Sequence, residues 1–286
     1  MEMTGFFAPA YQSAAEYLKH CYKIPDSLPE LPLADEPFVA SWQETDGQGV
    51  LDFLSKGFGL PADAFPWKNI GALKISFVES LGGRLPVIAM ESHADFRHME
   101  ALLNGRKKPQ IFPPTVNAFT MQTRAKPIYR HRVLLLNYAP YSNIPAETMG
   151  LSPSDWLTRS HCLRLRHECA HYETLRIFGG MQNHALDEIM ADALGQIAAF
   201  GNFDADRQRI FFGLTKGKDT CMGRLSFYCK KVAEEEHGKI YCAVDRVLDA
   251  VAKELDGLLA RKAGDMELLS ALAGTSIAER LEGMGE

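Results

Sequence analysis

The chain has 286 residues, 46% hydrophobic and 23% charged, the balance of a folded globular protein and not of a disordered or fibrous one. A formal net charge of -5 provides no positive field for a nucleic-acid backbone, and no apolar run reaches the roughly 18 residues of a membrane span. Nucleic acid and membrane are therefore not expected as partners. With no export signal at the N-terminus and six cysteines in no paired spacing, the cytoplasm is the expected compartment.

In chain order, a short N-terminal helix precedes Pro25, Pro29, Pro32 and Pro37, which deny the chain a helix and read as an extended connector closing a segment 1–36. Strands are predicted at about 37–43, 71–79, 84–90, 115–122 and 131–138, with helices near 47–56 and 93–104, so that 37–150 forms a mixed-sheet subdomain. Within it, "ESHADFRHME" mixes histidines with carboxylates, but Ser92 and Asp95 read as a capping box and not as a second metal site. After Gly150 the strand-like runs stop and helical periodicity continues to the end. The expected fold class is α+β, an N-terminal mixed sheet followed by a mostly helical part, 151–286, either separate from the sheet or in one domain with it.

The first helix of that part opens on Ser152 as N-cap, Pro153 at the first turn and Asp155 three residues after the cap, and it closes on Gly179-Gly180. It carries His167-Glu168-Cys169-Ala170-His171. Histidines four apart lie one above the other on one helix face, so both imidazoles can reach one ion, and the adjacent Glu168 can reach a water bound to it. Arg164, one turn before Glu168, is placed to pair with Glu168 or, alternatively, with Asp192 or Glu188. Cys162 and Cys169, two turns apart, read as small buried hydrophobes.

The next helix, "NHALDEIMADALGQIAAFG", has Asn183 as its expected N-cap and ends before Gly201. Its apolar stripe is Ile189, Met190, Ala193, Leu194 and Ile197; Glu188 and Asp192 lie on another face with the small Ala191, Gly195 and Ala199. The short connection "GGMQN" suits an αα hairpin that returns Glu188 toward the histidines. Glu188 would complete a His-His-Glu set, and Asp192 would accept a hydrogen bond from the back nitrogen of a ligand histidine.

"HECAHY" followed by "LDEIMAD" resembles the glutamate-zincin (gluzincin) metallopeptidases, and in particular a group of poorly characterised bacterial zincin-like proteins. The resemblance implies zinc on His167, His171 and Glu188, Glu168 as general base, Asp192 as orienter of a ligand histidine, and a peptide or protein substrate. It also implies a substrate lying along a strand ahead of the motif helix, for which "HRVLLLNYAPY" is the candidate, an ordinary core strand being the alternative. Tyr172, His184, His237 and Tyr241 are candidate donors to the transition state, although His237 reads more simply as a helix C-terminal cation.

The expected activity is thus zinc-dependent hydrolysis of an amide bond, most naturally in a peptide. The alternatives are an inactive zincin-like binding or regulatory protein whose metal is structural or absent, which an Arg164–Glu168 pair would favour, and a hydrolase of non-peptide amides. Residues 221–260 read as long amphipathic helices, preferred as core packing and otherwise serving as a dimer surface.

Overall fold

In the computed structural model, which describes residues 11–182 and 184–284, the chain divides into two units, 29–177 and 1–28 with 178–286. The first element among the described residues is α1 (Ala14–Leu18), capped by the Ser13 hydroxyl, and the proline-rich stretch after it is free of helix up to Glu36. Residues Pro37–Ser41, expected as a strand, form a 3-10 helix instead. Pro37 fixes φ at the first turn, and i→i+3 bonds from Val39 to Glu36 and from Trp42 to Val39 close the turn locally, leaving no ladder to join.

The sheet unit contains β1 (Thr45–Asp46), α2 (Gln48–Asp52), β2 (Lys74–Val78), β3 (Leu85–Met90), α3 (His93–Leu103), β4 (Ala118–Gln122), β5 (Arg132–Asn137) and α4 (Pro153–Ile177). A π-helical turn, Phe53–Gly57, continues α2. The strand order is β1-β2-β3-β5-β4, with β3 and β5 parallel and the other pairs antiparallel. Because side chains alternate across a strand, Val133 and Leu135 of β5 face one way, into a core with Phe96, Met99, Leu102 and Leu103 of α3. Leu134 and Leu136 face the other way, with Leu85, Val87 and Tyr172 of α4. A strand covered on both faces is apolar without alternation, which is what "VLLL" records.

The helical unit continues with α5 (Ala185–Phe200), α6 (Ala205–Phe212), α7 (Leu225–Tyr228), α8 (His237–Ala260), α9 (Asp265–Gly274) and α10 (Ile277–Glu282). All of α5 from Ala185 to Gln196 is buried, as for a helix surrounded by others. Of the long helices expected over 221–260, α8 is one; between α6 and α8 lies instead a tight irregular segment with the one-turn α7 and a 3-10 turn, Glu234–Glu236. Leu214 bridges Cys221, and the backbones of Gly213 and Gly223 cross so closely that a Cβ on Gly223 would lie 2.5 Å from the Phe212 carbonyl oxygen. Asp245 of α8 and Arg209 of α6 are both buried and joined, Nε to Oδ1, at 2.5 Å. Among the described residues no helix is long and apolar enough to cross a membrane, and all six cysteines are free.

Candidate metal centre

Helix α4 begins as its sequence indicates. The Asp155 amide donates to the Ser152 hydroxyl at 3.1 Å, that hydroxyl donates to the Asp155 carboxylate at 2.7 Å, and Pro153 occupies the first turn. Of the five residues of the motif, all are buried. Tyr172, a turn on from Glu168, packs on the β3 and β5 side chains, and its hydroxyl donates to Glu36 at 3.1 Å. It is a core residue, not a donor to the site.

His167 and His171 turn their Nε2 atoms toward one another at 3.1 Å. Two like nitrogens at this separation have room between them for one proton or one ion. A tetrahedral ion with metal–nitrogen bonds of about 2.05 Å sets its ligand nitrogens about 3.3 Å apart, so the pair is spaced for such an ion with almost no movement. On the other side of His167, Nδ1 lies 3.1 Å from the hydroxyl of the buried Tyr141.

Glu168 is held by the sheet. Its Oε2 accepts from the Thr120 backbone N–H at 2.7 Å, and the Thr120 hydroxyl lies 3.1 Å from the same oxygen. Thr120 belongs to β4, the edge strand, and this N–H points away from β5. Oε1 takes no hydrogen bond from the described residues. Arg164 does not pair with Glu168. Its guanidinium donates to the carbonyls of Asn137, Ala139 and Pro140 at 3.3, 3.0 and 3.1 Å, tying the chain that leaves β5 to the helix.

The strand expected to receive substrate, "HRVLLLNYAPY", is a core strand: β5 is paired on both sides, by β3 and by β4, so its backbone has no free edge to offer. Nor is "ESHADFRHME" a metal site. Ser92 caps α3, and the buried Asp95 accepts from the amides of Lys68 and Asn69 at 2.7 and 2.8 Å, fixing the loop ahead of β2.

In the helical unit, Glu188 and Asp192 stand one turn apart on α5, both buried. Arg224 donates to Glu188 Oε2 at 3.2 Å and to Asp192 Oδ2. Asp192 Oδ2 also accepts from Gln208 at 2.6 Å, and Gln208 accepts from Gln196 at 2.7 Å. The Tyr228 hydroxyl, kept protonated by burial and then by Glu188, is a further neighbour of the Glu188 carboxylate. Buried carboxylates require such partners, and a chain of them sets both side chains in fixed rotamers. Thr120, Tyr141, Arg224 and Tyr228 were not singled out from the sequence; they come from a strand, a 3-10 turn and the short α7 with the residue before it, with no spacing to mark them.

Asn183, the expected N-cap of α5, lies outside the described residues. The cap is His184, whose Nδ1 accepts from the Leu186 amide at 3.0 Å, so its proton sits on Nε2, donated to the Tyr17 carbonyl at 3.0 Å. His184 and Asp187, with His20, present ligand-type atoms within 4.8 Å of one another, yet both nitrogens of His184 are committed and its ring stacks on Tyr17 at 3.8 Å. We read this cluster as packing that caps a helix. His237, for its part, follows the 3-10 turn Glu234–Glu236 and is the first residue of α8, not the end of a long helix, and Tyr241 follows it one turn on. Burial likewise pushes the Cys169 thiol up to about 12, which makes it an inert core residue.

Burial lowers the His184 pKa to about 3, against 6.5 in an unfolded chain. Between those values the unfolded chain binds the extra proton, so stability rises with pH across the window and is lost as pH falls from 6.5. Urea unfolding at pH 7 and pH 5 is expected to show a loss of about 2 kcal/mol from this group, absent in His184→Asn, which keeps a capping acceptor without the titration. Equal pH dependence in the two proteins would contradict the capping role.

Residues 115–279 match a family of unknown function, DUF7005. The chain belongs to that family. The match covers more than half of the 286 residues, beginning just before β4 and ending within α10. In this DUF7005 chain Thr120, Tyr141, the whole of α4, Glu188, Asp192 and Arg224 therefore lie inside the family's extent. No curated protein and no solved structure matches the chain.

Proposed function

We propose that this chain is a zinc-dependent hydrolase of amide bonds, a zincin-like metallopeptidase of the gluzincin kind acting on a peptide or protein in the cytoplasm. His167, His171 and Glu188 are its metal ligands, Glu168 its general base, and Asp192 the orienter of a ligand histidine. The observation that carries the reading is the pair of Nε2 atoms facing at 3.1 Å, with the carboxylate of Glu168, next in the chain to His167, anchored by one oxygen only. Two imidazoles and a carboxylate are a donor set of the kind that holds an open zinc site.

When bound, such an ion supplies an acidified water and polarises the carbonyl to be attacked. The chain supplies the rest. Glu168, steadied through Oε2, offers Oε1 to take the proton of the attacking water as the O–C bond forms, and returns it to the nitrogen as the C–N bond breaks. Arg224 donates to Glu188 Oε2, which gives that carboxylate a fixed rotamer. Arg164 donates to three backbone carbonyls and not to Glu168, which supports this reading over a non-catalytic binding role.

Elemental mass spectrometry of the untagged protein tests the ligand set. About one zinc per chain is expected, falling to background in His171→Ala and in Glu188→Ala. A wild-type protein that holds no metal even after incubation with zinc would end this reading.

A further inference from the structure

The segment that leaves β5 is built against one face of α4. Ser160, Arg164 and His167, at i, i+4 and i+7, all meet it: the Tyr141 amide donates to the Ser160 hydroxyl at 2.9 Å, Arg164 holds the carbonyls of Asn137, Ala139 and Pro140, and the Tyr141 hydroxyl lies 3.1 Å from His167 Nδ1. The Arg164 guanidinium also sits 5.5 Å over the Tyr141 ring. Ser142 and Asn143 follow with φ of 51° and 57°, and the Asn143 side chain accepts from Asn117 at 3.2 Å. Two consecutive non-glycine residues in the left-handed region occur where surrounding contacts impose the turn, and this turn presents Tyr141 to the helix.

An imidazole can give only one lone pair to an ion, and the nitrogen that gives it must not carry the proton. We propose that the Tyr141 hydroxyl accepts a hydrogen bond from Nδ1–H of His167 and thereby keeps the Nε2 lone pair directed at the ion, making Tyr141 a positioning residue for metal binding, with Arg164 and Ser160 holding it in place. This rests on the metal-site reading above. With the opposite polarity, the phenol donating to Nδ1, the proton would move to Nε2 and block the ligand. A neutral phenol also fixes the tautomer without placing a further negative charge beside the site.

The test is a competition titration with zinc and a chromogenic chelator, on the full-length wild type, Tyr141→Phe and, as a control, Tyr138→Phe, which removes a hydroxyl from a partly exposed residue nearby. Loss of the Tyr141 hydroxyl alone is expected to weaken zinc binding by about 10- to 100-fold, with the control at the wild-type value. Equal affinity in Tyr141→Phe would overturn the positioning role and leave the metal site standing. No zinc binding by the wild type would overturn both. Should Tyr141→Phe unfold, nitrogen-15 spectra of the His167 ring in the zinc-loaded wild type decide: a proton on Nδ1 supports the proposal, and a proton on Nε2 defeats it.

Discussion

Glu168→Gln is expected to lower amide hydrolysis by about 10²- to 10⁴-fold while leaving bound zinc at the wild-type level. The substitution is close to isosteric. The amide oxygen can still accept from the Thr120 backbone N–H, which lies 2.7 Å from Oε2, so the side chain stays anchored on β4. Its NH₂ group then occupies the position of Oε1, the oxygen that takes no hydrogen bond, and an amide there cannot accept the proton of the attacking water. The measurement is turnover of a fluorogenic peptide library by both proteins at matched zinc content. Cleavage unaffected by Glu168→Gln would remove Glu168 from the chemistry, and the activity would then have to arise elsewhere in the protein.

A second large effect is expected on stability. Arg209→Met should destabilise the protein by about 3–5 kcal/mol, since it leaves a buried carboxylate without its counter-charge. Arg209 is 4% exposed and Asp245 4%. From α6 the guanidinium reaches the Asp245 carboxylate and backbone carbonyl at 2.5 and 2.8 Å and Asp249 at 2.9 Å, so one side chain fastens α6 to α8. Asp245 also accepts from the Gly217 amide at 2.7 Å, which pins the irregular segment after α6. The double variant Arg209→Met, Asp245→Leu should recover part of the loss, because replacing both ions removes the unpaired charge but not the need of the Gly217 amide. Urea unfolding midpoints of the three proteins check this, and a single variant as stable as the wild type would show the pair to be dispensable.

Local signals carried much of the fold. The caps of α4, the four strands from β2 to β5 and the helix α3 all arise from patterns within about a dozen residues, where capping, alternation and turn chemistry act. The same holds for the His167 and His171 pair, since helix geometry alone brings residues four apart together. Where local reading went astray, a competing interaction lay outside the window. Pro37 and its neighbours satisfy their own backbone in a 3-10 turn, and no partner strand competes for them. The segment 221–236 has helical periodicity, yet the crossing of Gly213 and Gly223 bends it back on itself. His184 displaces the expected cap because the Tyr17 carbonyl, from the other end of the chain, holds its ring in place.

By itself, then, the sequence determined an α+β chain, a capped helix bearing two histidines and a glutamate on known faces, and a second helix bearing Glu188 and Asp192 one turn apart. Those follow from backbone geometry, which repeats wherever the same residues are written. Tertiary structure alone decided that β5 is enclosed between β3 and β4, because an apolar run is the same text in a covered strand and at an edge. It also decided that Arg164 serves the chain leaving β5, that Thr120 steadies Glu168 and that Tyr141 meets His167. Thr120 and Tyr141 are 48 and 26 residues from their partners, and such contacts depend on how whole elements pack, for which no short spacing can stand.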